Sequence, residues 1–439
     1  MPTPFLRAAV VAAAFLPFLP SLCQAAPLTL ERALVLAVQR SEAARAGRSA
    51  AASARAAAVP AGQLPDPMLR LGVDNLPATG ADRFRTGRES MTMTRIGFSQ
   101  EWLSADKRAA REAAALAMAD REAVLAAAAE AETRLQTALG YVDAWYAGQA
   151  LQLAILTEHH LQEAQDAARA RLATAAASSA EVLALGAQLG VAQDERDDAR
   201  QQQSAAWVSL SRWIGEAPEA APNARADAKA DAGGDPADAA SDAMREALAA
   251  VPPIVVPDEA SFVARHPGVV ALQRERDVAL RAVAVAAKER DPNWTWEVAY
   301  GQRTGYSDMV SVGVSIPLQV APSRRQDREL AARQALVDKA EADLEEATRA
   351  ATADYRAWRS DAIRLQQRIA RYGAAVTAPA RQRTVATLAA YRSNQASLSA
   401  VFEARQAEVE AQRKLLSLQR SLARAQVQLA YKPIDGDTP

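Results

Sequence analysis

One structural unit is written twice in this chain, and that duplication limits what its 439 residues can fold into more than any other feature does. Val38-Gln39-Arg40-Ser41-Glu42 precedes Val263-Ala264-Arg265-His266-Pro267 by 225 positions, and the same offset pairs Asp66-Pro67 with Asp291-Pro292. Gly97-Phe98-Ser99 matches Gly313-Val314-Ser315 at an offset of 216. Ser104 matches Ser323, and Ser178-x-x-x-Val182-Leu183 matches Ser397-x-x-x-Val401-Phe402, both at 219. An offset that falls by nine in one loop, rises by three at one junction and otherwise holds is the mark of duplication rather than chance.

Each copy reads helix, strand, strand, long helix, shorter helix. In the first copy a helix spans about Leu30 to Val59 and is closed by Pro60 and Gly62. After two strands, a very long helical pattern runs from about Ser104 to Thr174 and a shorter one from Glu181 to Ile214, closed by Gly215, Pro218 and Pro222. The second copy repeats this from Ser261 to about Tyr431. The expected divisions are a first repeat at 26–215, an Ala/Asp/Pro-rich linker at 216–258, a second repeat at 259–432 and a tail at 433–439. A helix of about 70 residues is roughly 105 Å long, too long for the core of a compact domain, so it needs lateral partners throughout. The two shorter helices of a copy sum to nearly the same length, which lets one long helix pack against two short ones placed end to end.

Composition agrees: aromatics are 5%, charged residues 23%, and alanine runs recur, as in long helices packed along narrow seams. Lys+Arg (51) and Asp+Glu (52) nearly cancel, which removes the electrostatic case for nucleic-acid binding. Residues 1–25 read as a secretory signal, with Arg7 as the positive region and Ala8 to Leu19 as a short apolar one. Cys23 and Ala25 suit cleavage after Ala25; lipid attachment at Cys23 is the alternative, disfavoured by the bulk of Leu22. Cys23 is the one cysteine, so cleavage leaves no thiol chemistry. No later stretch reaches 18 consecutive apolar residues, so any membrane crossing must be made by strands.

Between the helices the hydrophobic period switches from 3.6 to 2. Trp294, Trp296, Val298 and Tyr300 alternate with Thr295, Glu297 and Ala299; Val310, Val312, Val314, Ile316 and Leu318 alternate with Ser311, Gly313, Ser315 and Pro317. In the first copy Leu69, Leu71 and Val73, then Ile96 and Phe98, alternate likewise. Segments of about ten residues suffice to cross a bilayer as tilted strands. The expected lipid-facing set is Trp294, Trp296, Val298, Val310, Val312, Val314 and Ile316, with Trp102, Trp294, Trp296 and Tyr300 as an interfacial girdle. A sheet half-buried on a soluble core is the other reading, but rods this thin offer no such core. Four strands cannot close a barrel and open edges are not tolerated in lipid, so oligomerisation follows. Two protomers would give eight strands and three would give twelve.

The chain resembles the TolC family of outer-membrane factors, in particular the branch serving heavy-metal efflux pumps. Gln63-Leu64-Pro65-Asp66-Pro67, leading into Leu71-Gly72-Val73-Asp74-Asn75-Leu76-Pro77, carries the likeness. So do Met91-Thr92-Met93-Thr94-Arg95-Ile96-Gly97, Ser99-Gln100-Glu101 and Lys107-Arg108-x-x-Arg111. In the second copy Tyr391-Arg392-Ser393-Asn394-Gln395-Ala396-Ser397-Leu398 and Glu403-Ala404-Arg405 resemble the family's periplasmic turn. The resemblance implies a homotrimer with a twelve-stranded barrel in outer-membrane lipid and a long periplasmic helical tunnel closed at its tip. It also implies a periplasmic adaptor and an inner-membrane RND-type pump as partners; no cofactor is expected. A conduit for type I protein secretion shares this architecture. A soluble periplasmic coiled-coil adaptor or scaffold does not, since it needs one hairpin flanked by β-domains.

The tip turns are then placed at Ala175 and Ser178 in the first copy and Asn394 and Ser397 in the second. The family usually has glycine where Ala175 and Asn394 stand, and Asn tolerates a left-handed backbone better than Ala. Candidate gate residues are Asp166 in the first copy and Pro379, Arg381 and Arg383 in the second. Pro379 lies 15 residues before Asn394, inside an expected long helix that it should kink. Chemistry-bearing motifs are lacking: no phosphate loop, nucleophile elbow or zinc-ligand spacing occurs, and the chain reads as no enzyme. Adjacent His159 and His160 point apart on a helix and read as surface residues, and His266-Pro267 as a helix start. Met91 and Met93 read as strand packing rather than soft-metal ligands.

Overall fold

The computed structural model of the protein describes residues 27–174, 178–215, 244 and 247–435; the expected signal segment, Cys23, Ala175 and much of the expected linker lie outside them. The first half contains α1 (Leu30–Arg40), α2 (Glu42–Ala61), β1 (Met68–Asp74), β2 (Met93–Trp102), α3 (Ala105–Ala173) and α4 (Ser179–Ile214). The second contains α5 (Glu259–Ala264), α6 (Pro267–Lys288), β3 (Trp294–Gln302) and β4 (Met309–Ser315). It continues with α7 (Gln326–Tyr372), a π-helical turn (Gly373–Thr377), α8 (Ala378–Arg392) and α9 (Leu398–Tyr431). The long helix α3 therefore has as its counterpart not one helix but α7, the π turn and α8 in series.

The single helix expected over Leu30–Val59 is two. Ser41 is extended, with φ −66° and ψ 113°, and serves as C-cap of α1 and N-cap of α2. Its hydroxyl accepts from the Ala44 amide at 3.1 Å and lies 3.1 Å from the Thr133 hydroxyl, so the break satisfies donors that a helix end leaves free. His266, at the equivalent place, caps α6 without a side-chain bond, and Pro267 supplies the helix start. Both copies thus bend at the same point by different chemistry.

Alanine sets how closely the rods approach. Leu30, Ala37, Ala44, Ala51 and Ala58 are all buried at intervals of seven, straight through the break at Ser41. Ala119, Ala126, Thr133, Ala147 and Ala154 are buried on the same spacing in α3, with half-buried Gly140 at the step between Thr133 and Ala147. A seven-residue repeat holds two helices in gradual left-handed register, and small side chains bring their backbones together. At Gly47 backbone lies against backbone: a Cβ there would lie 2.9 Å from the Ala126 Cα. Gly47→Leu should therefore cost about 1–3 kcal/mol by forcing α2 off α3, measured as a lowered unfolding midpoint in detergent.

The main core lies midway along the rods. Leu30, Ala33, Leu135, Ala138, Tyr141, Val142, Leu210, Ile214 and Val427 bring α1, α3, α4 and α9 together. The Tyr141 hydroxyl is 2.7 Å from the carbonyls of Leu28 and Ala249, fastening the segment before α5 to the start of the first copy. Burial pushes its pKa up to about 12. A second cluster, Phe262, Tyr355, Ala362 and Leu429, seats α5 on α7 and α9.

The four strands form one antiparallel sheet in the order β1-β2-β3-β4. The outer strands β1 and β4 have 7 residues each, shorter than expected. Ile316 falls just beyond β4, because the pairing ends at Thr295↔Ser315 and Pro317 brings no amide to extend it.

Candidate functional site

The pairing register assigns each strand residue to a face, because directly opposed residues share one. Leu69, Phe98, Val298 and Val312 form one row; Leu71, Ile96, Tyr300 and Val310 form the next. Trp296 opposes Val314, and Trp102 opposes Trp294. Phe98 and Trp296 have ring centroids 5.7 Å apart, and Trp102 and Trp294 6.0 Å. Nothing in the described residues covers this face: Leu71 is 71% exposed and Val312 75%. A contiguous exposed apolar surface of this size marks a membrane or a partner.

The opposite face carries Arg70, Asp74, Arg95, Ser99, Glu297, Ala299 and Ser311. Arg95 reaches Glu297 at 2.6 Å and Asp74 at 3.4 Å, and Arg70 lies 3.5 Å from Glu297. These pairs are part-exposed and individually weak, but they staple β1, β2 and β3 across their polar side. Met93 rests on Gly301, where a Cβ would meet its sulfur at 2.5 Å, while Met91 lies in the preceding loop and not on the strand. The sheet leaves the outer edges of β1 and β4 without a hydrogen-bonding strand among the described residues.

Where sheet meets rods, the two copies are joined by a buried lysine. Lys107, in the first turn of α3, is 2% exposed. Its ammonium donates to Glu289 Oε2 at 3.1 Å, the Asp291 carbonyl at 2.7 Å and Asn293 Oδ1 at 2.7 Å. Arg111 binds the other oxygen of Glu289 at 2.7 Å, and Asn293 donates to Glu101 at 2.7 Å. In the sequence, Lys107 and Arg111 stand out only within the resemblance. Their acceptors are 178–186 positions away, and only the folded topology brings them together.

At the far end of the sheet, the loop 75–92 folds back on itself and onto the turn 303–308. Asn75, with φ 54°, donates to the Met91 carbonyl, and buried Thr92 donates to the Asn75 carbonyl at 2.8 Å. The Phe84 amide donates to the Pro77 carbonyl at 2.8 Å, and Arg303 reaches the Ser90 carbonyl at 3.3 Å. Phe84 is 60% exposed at φ 59°, a left-handed conformation that bulky residues rarely hold.

At the opposite end the rods finish in tight turns. Ser178 caps α4 by accepting from the Glu181 amide at 3.1 Å, and Ser397 caps α9 by accepting from the Ala400 amide at 3.2 Å. Asn394 has φ 58° between α8 and α9. Pro379 stands in the first turn of α8, directly after the π turn. Arg381 and Arg383 are exposed and, two residues apart on a helix, point to nearly opposite sides. Asp166 takes a hydrogen bond from Gln162 at 3.2 Å and lies 3.5 Å from Arg169, with no ion pair to Arg381 or Arg383 among the described residues. His159 and His160 each lie 3.4 Å from Glu163. Among the described residues no group of three or more His, Cys, Asp or Glu is placed to hold a metal ion, and no helix is long and apolar enough to cross a membrane.

No family model matches the chain, and no curated protein sequence matches it either. Solved structures do. The outer-membrane channel OprN superposes with a TM-score of 0.72 over 93% of this chain and 91% of its own, at 15% identity. The chain has the fold of an outer-membrane channel protomer. The CmeC outer membrane channel of Campylobacter jejuni gives 0.71 over 93% of this chain and 87% of its own, at 12% identity. VceC, an outer membrane protein of Vibrio cholerae, gives 0.64 over 90% and 95%, at 16% identity. Such channels share the mainly helical build, with long rods and a few strands per protomer, that this chain displays.

Proposed function

We propose that the protein is the outer-membrane channel of a tripartite efflux system, a homotrimeric conduit rather than an enzyme. The observation that carries this reading is a sheet with one bare apolar face and two open edges, set on rods too thin to cover it. Open edges are excluded from lipid, so the sheet must close with copies of itself. β4 of one protomer runs antiparallel to β1 of the next, and three sheets of four strands supply the twelve that leave a pore. The polar face with Arg70, Arg95 and Glu297 then lines the lumen, and the rods continue it as a tunnel in the periplasm. Adaptor and inner-membrane pump engage the tip at the turns of Ser178, Asn394 and Ser397, with Asp166, Pro379, Arg381 and Arg383 near the gate. Heavy-metal ions are the proposed cargo, on the resemblance carried by residues 63–77 and 91–101.

The inside-outside assignment has a direct test. Val312→Arg, facing lipid, should cost about 2–4 kcal/mol per protomer near the bilayer midplane, whereas Ser311→Arg, facing the lumen, should be tolerated far better. Heat-modifiability gels and mass measurement in detergent report assembly. Equal defects at both positions, or a monomer, would sink the reading. Deleting the gene and measuring sensitivity to copper, silver, zinc and cadmium ions beside drugs tests the cargo.

A further inference from the structure

The loop 75–92 is more elaborate than a link between β1 and β2 requires, and the channel reading does not use it. It carries Arg83, Arg85 and Arg88 against Asp82 and Glu89, a net charge of +1 from three arginines and two acids. All three arginines are exposed, and none forms an ion pair among the described residues. The Arg83 guanidinium stacks 4.9 Å over the Phe84 ring, which the left-handed backbone holds out in solvent. On the adjoining turn Arg303 lies over the exposed Tyr306 ring at 5.8 Å. The loop is fixed against that turn: Arg303 binds the Ser90 carbonyl, and a Cβ on Gly87 would sit 3.3 Å from Thr304. Two arginine-aromatic pairs are thus built onto one rigid rim, at the end of the sheet remote from the helices.

That rim stands at the end of the strands whose apolar face is bare. Where such a face ends in lipid, the chain meets headgroups, and the chemistry placed there is planar cations for phosphate and aromatic rings for the acyl boundary. We propose that Arg83, Arg85 and Arg88, with Phe84, form a binding site for the phosphates of an anionic glycolipid in the outer leaflet. This rests on the membrane reading above. The arginines bind the sugar-linked phosphates while Phe84 lies over the first carbons of the acyl chains. Because the site repeats in each protomer, the trimer carries a ring of three around the barrel mouth and gathers a shell of phosphorylated lipid. No covalent step is involved.

The test uses the full-length protein purified in detergent and bisphosphorylated lipid A in mixed micelles, with binding followed by native mass spectrometry. The wild type should retain this lipid, and the triple variant Arg83→Gln/Arg85→Gln/Arg88→Gln should bind it roughly a hundredfold more weakly, from about fivefold per arginine at an anionic surface. Phe84→Ser should keep the preference for phosphate and lose affinity for the acylated form. Dephosphorylated lipid A binding as well as the bisphosphorylated form would overturn the proposal, as would a triple variant that binds undiminished. Inorganic phosphate competing at equal concentration would reveal a small-anion site and overturn the lipid assignment. Membrane fractionation of the same variants separates this inference from the one beneath it. An outer-membrane trimer indifferent to phosphate defeats the inference alone, and a wild type absent from the outer membrane defeats both.

Discussion

Replacing Glu289 with leucine should destabilise the protein by about 3–5 kcal/mol, the range for stranding one member of a buried ion pair. Lys107 is the buried member at 2% exposure, whereas Glu289 is 40% exposed. Three ammonium protons meet three acceptors, Glu289, the Asp291 carbonyl and Asn293, so the set is complete. Remove the carboxylate, and a cation stays in the interior with two neutral acceptors and Arg111 nearby. Lys107→Met is milder because it removes the charge and keeps most of the volume, and its two neutral acceptors, on exposed Asp291 and half-buried Asn293, can turn to water instead. The double variant Lys107→Met/Glu289→Leu should be more stable than Glu289→Leu alone, since no charge is then stranded. Denaturant unfolding in detergent measures all three; a double variant no better than Glu289→Leu would show that packing, not charge, sets the cost.

The same contact gives a pH dependence. Burial pushes the Glu289 carboxyl up, but hydrogen bonds from Arg111 and Lys107 outweigh it, and the net pKa lies below that of an ordinary glutamate. The folded protein therefore holds fewer protons here than the unfolded chain across the ordinary carboxylate range. Its stabilisation is present above that range and is lost as pH falls through it to the depressed folded value. In Glu289→Leu this part of the acid sensitivity should vanish from the unfolding midpoint measured against pH.

Why the junction was hidden while the sheet was plain follows from the range of the interactions. Trp294 to Tyr300 and Val310 to Val314 alternate because one sheet face is apolar, and a period of two is visible within a few residues. The helix break at Ser41 left no trace because the seven-residue alanine spacing passes through it, so the hydrophobic pattern is that of one helix. Its signal was the serine itself, three residues before the Ala44 amide it caps. In the sequence Lys107 stands out only within Lys107-Arg108-x-x-Arg111, since its acceptors belong to the other copy. The arginine-bearing loop gave no periodicity to read; its order comes from Asn75, Thr92 and Arg303 contacts that only the folded hairpins create.

In the channel proposed above, Pro379→Ala should change the resting state. In a regular α-helix the proline ring clashes with the carbonyl four residues earlier, which here belongs to Ala375, and it leaves one amide unmade, together costing ~3 kcal/mol. Ala375 lies in the middle of the π turn Gly373–Thr377, where the Ala378 amide bonds the Gly373 carbonyl, so the chain reaching the proline is already wound wider than an α-helix. Proline and π turn are therefore one device, and the second copy has it where α3 runs unbroken through the equivalent His160. Gly373 adds slack: a Cβ there would meet nothing within 4 Å. With the amide restored, α7 and α8 can join as one straight α-helix, so the second pair of rods should lose its point of bending while the first is untouched. The expected result is altered single-channel conductance in planar bilayers and altered entry of vancomycin-sized antibiotics into cells, with trimer assembly unchanged. If conductance, drug entry and efflux all stay at wild-type values, the bend is static, and the gate must be sought instead among Asp166, Arg381 and Arg383.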